Sequence, residues 1–215
     1  MITVYGRATS SNVQAVMWGI AELGLPFERL DYGHVHGGTD TPEFRAMNPN
    51  GTVPVIRDGD LVLWESCAIL RYLAARHGDG GPFWPNDAVA RAWVDQWAEW
   101  GKAEFCSAFT VPIFWARVRT AAKDRDEAGL ARAIRAFESR LAILERQLDG
   151  KAHVCGAAFT LADVVIGHIL FRYYDIDIPR GDFPNVRAYF DRLATRPAYR
   201  EHVMVSYDIL RAEGA

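Results

Sequence analysis

Asn48-Pro49-Asn50-Gly51-Thr52-Val53-Pro54-Val55-Ile56, Arg57-Asp58-Gly59-Asp60 and Leu61-Val62-Leu63-Trp64-Glu65-Ser66 follow one another without a gap, and together they decide the fold of the first third of the chain. Asn-Pro-Asn-Gly is turn chemistry, and the two short apolar runs around Asp58-Gly59 have the composition of an antiparallel hairpin. Pro54 cannot donate to a strand ladder, so it belongs at an edge or a special peptide bond. Ser66 opens a helix whose apolar positions Ile69, Tyr72 and Leu73 run on to a stop at Gly78.

Upstream of that hairpin, Ile2 to Tyr5 reads as a strand and Gly6 to Asn12 as a polar loop. Val13, Val16, Met17, Ile20 and Leu23 then recur at helical spacing. Gly24 and Pro26 end the helix, and Phe27 to Asp31 alternates as a second strand. A strand, helix and strand in this order pair in parallel through a right-handed crossover, which sets the loop after the first strand beside a helix N-terminus. Thr41-Pro42-Glu43 starts a short helix, with Pro42 where its missing N–H costs nothing. The order β-α-β-α-β-β-α over residues 1–78 is that of a thioredoxin-like domain. Residues 79–87 are rich in Gly and Pro and form the linker. Residues 88–215 read as an all-helical domain: Trp93, Trp97 and Trp100 share a face, and Leu130, Ile134, Phe137, Leu141, Leu144 and Leu148 step by four and three. Thr160-Leu161-Ala162-Asp163 is a capping-box variant that starts a helix with Leu161, Val164, Val165 and His168 on its apolar face, where His168 reads as a core histidine. The fold class is α/β plus all-α, a thioredoxin-like domain followed by a helix bundle.

Composition narrows the functional classes. Half of the 215 residues are hydrophobic, enough for a sizeable core, and the net charge of −3 without a Lys/Arg block disfavours nucleic acid and anionic membranes as partners. Cys67, Cys106 and Cys155 are far apart, odd in number and without a nearby His pair, so neither a disulfide framework nor a metal site is expected. The first residues lack a basic region followed by an apolar stretch, so no export signal is expected and a reducing cytoplasm fits best.

Four motifs, in their order and spacing, make the sequence resemble the cytosolic glutathione transferases, with a bacterial, serine-type flavour near the theta, zeta and beta groupings. They are Ser10-Ser11-Asn12-Val13, Asn48-Pro49-Asn50-Gly51-Thr52-Val53-Pro54, Trp64 to Leu73, and Phe159-Thr160-Leu161-Ala162-Asp163. The resemblance implies glutathione as co-substrate, a cis peptide at Val53-Pro54 and a homodimer. Val53 would pair its backbone with the tripeptide as an added strand would. At the start of the third helix, Glu65 would accept from the γ-glutamyl ammonium, and Ser66 would offer its hydroxyl and N–H to the carboxylate. Thr39, His36 or His34 would take the glycyl carboxylate, and Glu99 would reach the γ-glutamyl group held by the partner subunit. Ser10 is the first choice to hold the thiolate, with Ser11 and Asn12 as alternatives.

The activity so implied is conjugation of the glutathione thiolate to small, mostly apolar electrophiles. Their pocket is expected to draw on Arg7, Phe105, Phe109 and Trp115, with Tyr207 closing it. A glutathione-dependent isomerase or dehalogenase, or a non-catalytic binding module of transferase-like fold, is the alternative. The three cysteines are read as buried, inert thiols, and since none stands in the loop after the first strand, disulfide-exchange chemistry lacks its nucleophile.

Overall fold

The computed structural model describes residues 1–213. The first domain is built from β1 (Ile2–Tyr5), α1 (Ser11–Glu22), β2 (Phe27–Leu30), α2 (Pro42–Met47), β3 (Val55–Asp58), β4 (Leu61–Trp64) and α3 (Ser66–His77). Its sheet runs β2-β1-β3-β4. β1 and β2 are parallel with Ile2 opposite Phe27, as the crossover requires, and β3 is antiparallel to both β1 and β4. β3 begins at Val55 rather than at Val53, because the two residues before it end in a proline with no N–H to enter the ladder. The Val53–Pro54 peptide is cis. The expected thioredoxin-like order is therefore present, element for element.

α1 is apolar nearly all round because it serves two cores. Val13, Val16, Met17 and Ile20 pack on the sheet with Ile2, Val4 and Ile56. Ala15 and Trp18 turn the other way and join Leu70 of α3 in the core of the second domain. The Trp18 indole donates to Glu22 at 2.8 Å and meets the Tyr199 ring at 4.7 Å, centroid to centroid. Gly167 leaves the room for it: a Cβ there would lie 2.5 Å from Leu193 and 3.2 Å from Trp18.

The second domain contains α4 (Ala88–Trp100), α5 (Ser107–Phe109), α6 (Glu127–Gln147), α7 (Leu161–Gly167), α8 (Leu170–Asp175), α9 (Pro184–Ala194) and α10 (Pro197–His202). On either side of α5 the backbone stays helical but widens to π-type turns, over Gly101–Cys106 and Thr110–Arg119. α7 is buried along its length, and the Asp163 carboxylate organises its start by accepting from the N–H groups of Thr160 (2.7 Å) and Val154 (2.9 Å) and from the Tyr189 hydroxyl (2.9 Å). The tryptophan stripe divides: Trp97 and Trp100 lie against the core, whereas Trp93 is half-exposed.

His168 sits in that core with Nδ1 2.8 Å from the Val165 carbonyl. Burial, with Lys102 nearby, pushes its pKa down to about 3. The folded protein thus refuses a proton that the unfolded chain accepts near pH ~6.5, so between these values stability rises with pH. We expect this residue alone to make the protein about 2 kcal/mol less stable at pH 5 than at pH 7. Urea unfolding across that range checks it, and His168→Gln should flatten the dependence by that share.

Candidate active site

A cavity of about 300 Å³ opens between the two domains, walled on one side by the loop after β1, by Gly33, His34 and Thr39, and by Gly51 to Val53. Thr110, Trp115, Arg119, Arg172 and Leu210 supply the other wall. Ser10, Ser11 and Asn12 all line it.

Ser10 is the N-cap of α1: its carbonyl accepts from the Gln14 N–H at 2.9 Å, but its hydroxyl makes no capping bond. That hydroxyl and the free N–H groups of the first turn are left for a ligand at the positive end of a twelve-residue helix. The Gln14 side chain holds the loop by donating to the Ala8 carbonyl at 2.9 Å. Asn12 is oriented from the other domain: Lys102 Nζ donates to its Oδ1 at 2.8 Å, which leaves the Asn12 amide N–H groups as donors.

The same ammonium donates to Ser66 Oγ at 3.1 Å, so Lys102 bridges the loop and the start of α3. Glu65, just before that helix, holds a φ of 69°, a conformation that costs a non-glycine residue roughly 1–3 kcal/mol and clusters at ligand sites. Glu65 and Ser66 do not line the 300 Å³ cavity, and Val53 does. Thr39 and His34 face the cavity too, while His36 stands outside it with Nε2 3.8 Å from the Asp31 carboxylate. Glu99 is paired within its own chain, to Arg71, which also donates to Asp95 at 2.7 Å.

Of the residues expected to form an electrophile pocket, only part reach the cavity. Arg7 and Trp115 line the cavity as expected, but Phe105 and Phe109 do not: both are fully buried against Phe137, at 4.9 and 5.4 Å between ring centroids. Tyr207 is buried as well, its ring edge-on to Phe114 and its hydroxyl donating to Asp175. Phe105 and Phe109 are taken up by the core, and the cavity wall is formed instead by the π-type segment Thr110–Arg119, which carries Thr110, Trp115 and Arg119. Lys102, Thr110, Arg119, Arg172 and Leu210 were not legible as site residues. The only sequence signal was two arginines embedded in aromatic stretches.

These residues make the cavity cationic. Arg172 is 3% exposed, donates to the Thr9 carbonyl at 2.8 Å and lies 4.5 Å over the Phe114 ring, and burial lowers its pKa to about 10. Burial and then the charge of Arg119 lower Arg7, and burial followed by Arg7 and Arg119 lowers His34. The Nε atoms of Arg7 and Arg172 are buried without a partner. No carboxylate side chain is among the lining residues.

Comparison with known proteins follows the same outline. Residues 1–75 match the family model described as glutathione S-transferase, N-terminal domain, and residues 121–192 match glutathione S-transferase, C-terminal domain. The sequence is 34% identical over 207 residues to glutathione S-transferase GstB of Escherichia coli strain K12, covering 95% of this chain and 99% of that protein. The structure is similar to the theta class glutathione S-transferase from Xanthomonas axonopodis pv. citri with glutathione bound, with a TM-score of 0.90, 38% identity, and coverage of 95% and 98%. It is also similar to a Bombyx mori glutathione transferase, with a TM-score of 0.85, 25% identity, and coverage of 97% and 95%.

None of the three cysteines lines the cavity. Burial raises the Cys67 thiol, pushes Cys106 to about 12 and Cys155 to about 11. Among the described residues no cluster of three or more His, Cys, Asp or Glu could hold a metal ion, and no helix is long and apolar enough to cross a membrane. Native protein at pH 8 should therefore react with a disulfide reagent far more slowly than urea-unfolded protein, with half-buried Cys155 first. One fast thiol in the native state would contradict these environments.

Proposed function

The chain belongs to the glutathione S-transferase family, and on that footing we propose how its cleft divides the work of conjugating glutathione to a small electrophile. It is an enzyme, and glutathione is its co-substrate. The loop of Ser10, Ser11 and Asn12 holds the thiolate, with Ser10 first. One observation carries this: a hydroxyl at the N-terminus of α1 that lines the cavity and caps nothing. A free thiol titrates near ~8.5, and lowering it by about two units takes ~2.7 kcal/mol of preference for the anion. One hydrogen bond to a charged acceptor, helped by the helix terminus, is of that size.

Val53 presents its backbone to the cysteinyl unit, and Glu65 with Ser66 takes the γ-glutamyl end, where Lys102 adds a cation for the carboxylate. Thr39 and His34 are better placed for the glycyl carboxylate than His36, since both face the cavity. The electrophile enters from the side of Arg7, Thr110 and Trp115. Attack by sulfur on carbon gives a thioether, the chemistry of cytoplasmic detoxification.

Ultraviolet titration of the bound thiolate tests the donor. Ser10→Ala should raise the apparent pKa of bound glutathione by at least about one unit and slow turnover, with little loss of glutathione affinity. If Ser10→Ala titrates like the parent and Ser11→Ala or Asn12→Ala does not, the donor is that neighbour.

The working unit is a homodimer, in which Glu99, with its side chain 60% exposed beside Arg71, reaches the γ-glutamyl ammonium across the interface. Light scattering should give twice the 24.1 kDa chain mass. Glu99→Ala should weaken glutathione binding without unfolding the protein, and a monomer with full activity would refute the shared site.

A further inference from the structure

We infer that the second-substrate side of the cleft is an anion site and that the electrophiles this enzyme takes best carry a carboxylate. The inference rests on the transferase reading above and narrows it to a substrate class.

Three guanidinium groups, Arg7, Arg119 and Arg172, line one cavity of about 300 Å³ in which no wall residue is acidic. Arg172 is buried, spends one N–H on the Thr9 carbonyl, and keeps Nε without a partner. Arg7 also keeps a buried, unpartnered Nε. Arg119 is stacked 4.3 Å over the Trp115 ring, which fixes its plane without neutralising it. Buried cations are ordinarily paired, and like charges in one cavity repel. A wall with this composition is completed by an anion.

Glutathione does not account for all of this charge. Its γ-glutamyl end belongs at α3, where Lys102 stands, and its glycyl end lies toward Thr39 and His34. Arg119 and Arg172 come from the second domain, on the same wall as Thr110 and Trp115, where the electrophile enters. Guanidinium presents a planar fork of N–H donors that matches a carboxylate, so this wall can fix the reacting carbon relative to the thiolate. The carboxylate itself takes no part in the bond changes. With an aryl chloride, sulfur attacks the carbon bearing chlorine, the C–S bond forms, chloride leaves with the C–Cl electron pair, and the thiol proton passes to solvent.

The test is a matched pair, 4-chloro-3-nitrobenzoate and 4-chloro-3-nitrobenzamide, with each rate divided by its uncatalysed rate. The benzoate should be favoured in kcat/KM by at least about ten-fold, mostly through KM, and the preference should shrink as salt rises. Arg119→Gln and Arg7→Gln should each drive the ratio toward one. Equal use of the two compounds, or a preference that survives both substitutions, overturns the anion site while the transferase stands. So does a loss in the variants that appears only as weaker glutathione binding or a raised bound-thiol pKa, because the arginines would then serve glutathione. If neither chloride is consumed, the transferase reading falls. Calorimetric titration of the S-methylglutathione complex with the benzoate and the amide then still reads the anion site, and equal or absent binding of the two overturns it.

Discussion

Trp18 is the contact on which the rest of the molecule depends. It projects from the helix whose other face builds the sheet core, and it is fully buried in the core of the second domain, between Tyr199 and Phe159. Its indole N–H is satisfied by Glu22, and Glu22 accepts in turn from Nε and Nη2 of Arg196, at 2.7 and 2.5 Å. Truncating a buried aromatic of this kind typically costs about 3–5 kcal/mol. The larger consequence is geometric. The N-terminus of the same helix is the floor of the cleft, so fixing Trp18 against α7 and α10 also fixes the distance between the walls.

The second domain goes on to shape the loop it faces. Arg172 takes the Thr9 carbonyl and Lys102 takes the Asn12 side chain, so two cations from helices distant in sequence hold backbone and amide in place. This loop is polar and short, and left alone it would have many arrangements of similar energy. Held at both points, it meets a ligand with little further ordering to do. That Lys102 also touches Ser66 means that one side chain sets the spacing between the Ser10–Asn12 loop and the start of α3.

What the sequence disclosed follows from how local its causes are. β1 and β4 occupy the expected residues because alternation and turn residues act over a few positions. Ser10, Thr39 and Val53 line one cavity because a parallel β-α-β unit and a hairpin bring their loops to one end of the sheet. Phe105 and Phe109 fall in the core rather than the cavity because they pack against Phe137, a partner about thirty residues away that only the folded bundle brings to them. Lys102 lies 90 residues from Asn12 and 36 from Ser66, and no spacing rule reaches that far. Arg172 looked like an ordinary charged residue at the end of an apolar run. Its role depends on Thr9, a neighbour only in space.

The space made by Gly167 bears on how such a chain can change by recombination. The indole of the first domain fits a slot that exists only because the second domain has no Cβ at that position and carries Leu193 and Tyr199 around it. A first domain exchanged with that of a relative would bring its own residue into this slot, and any residue smaller than tryptophan would leave a cavity beside Gly167. The two domains read as separate modules along the chain, yet at this slot a change in one calls for a matching change in the other.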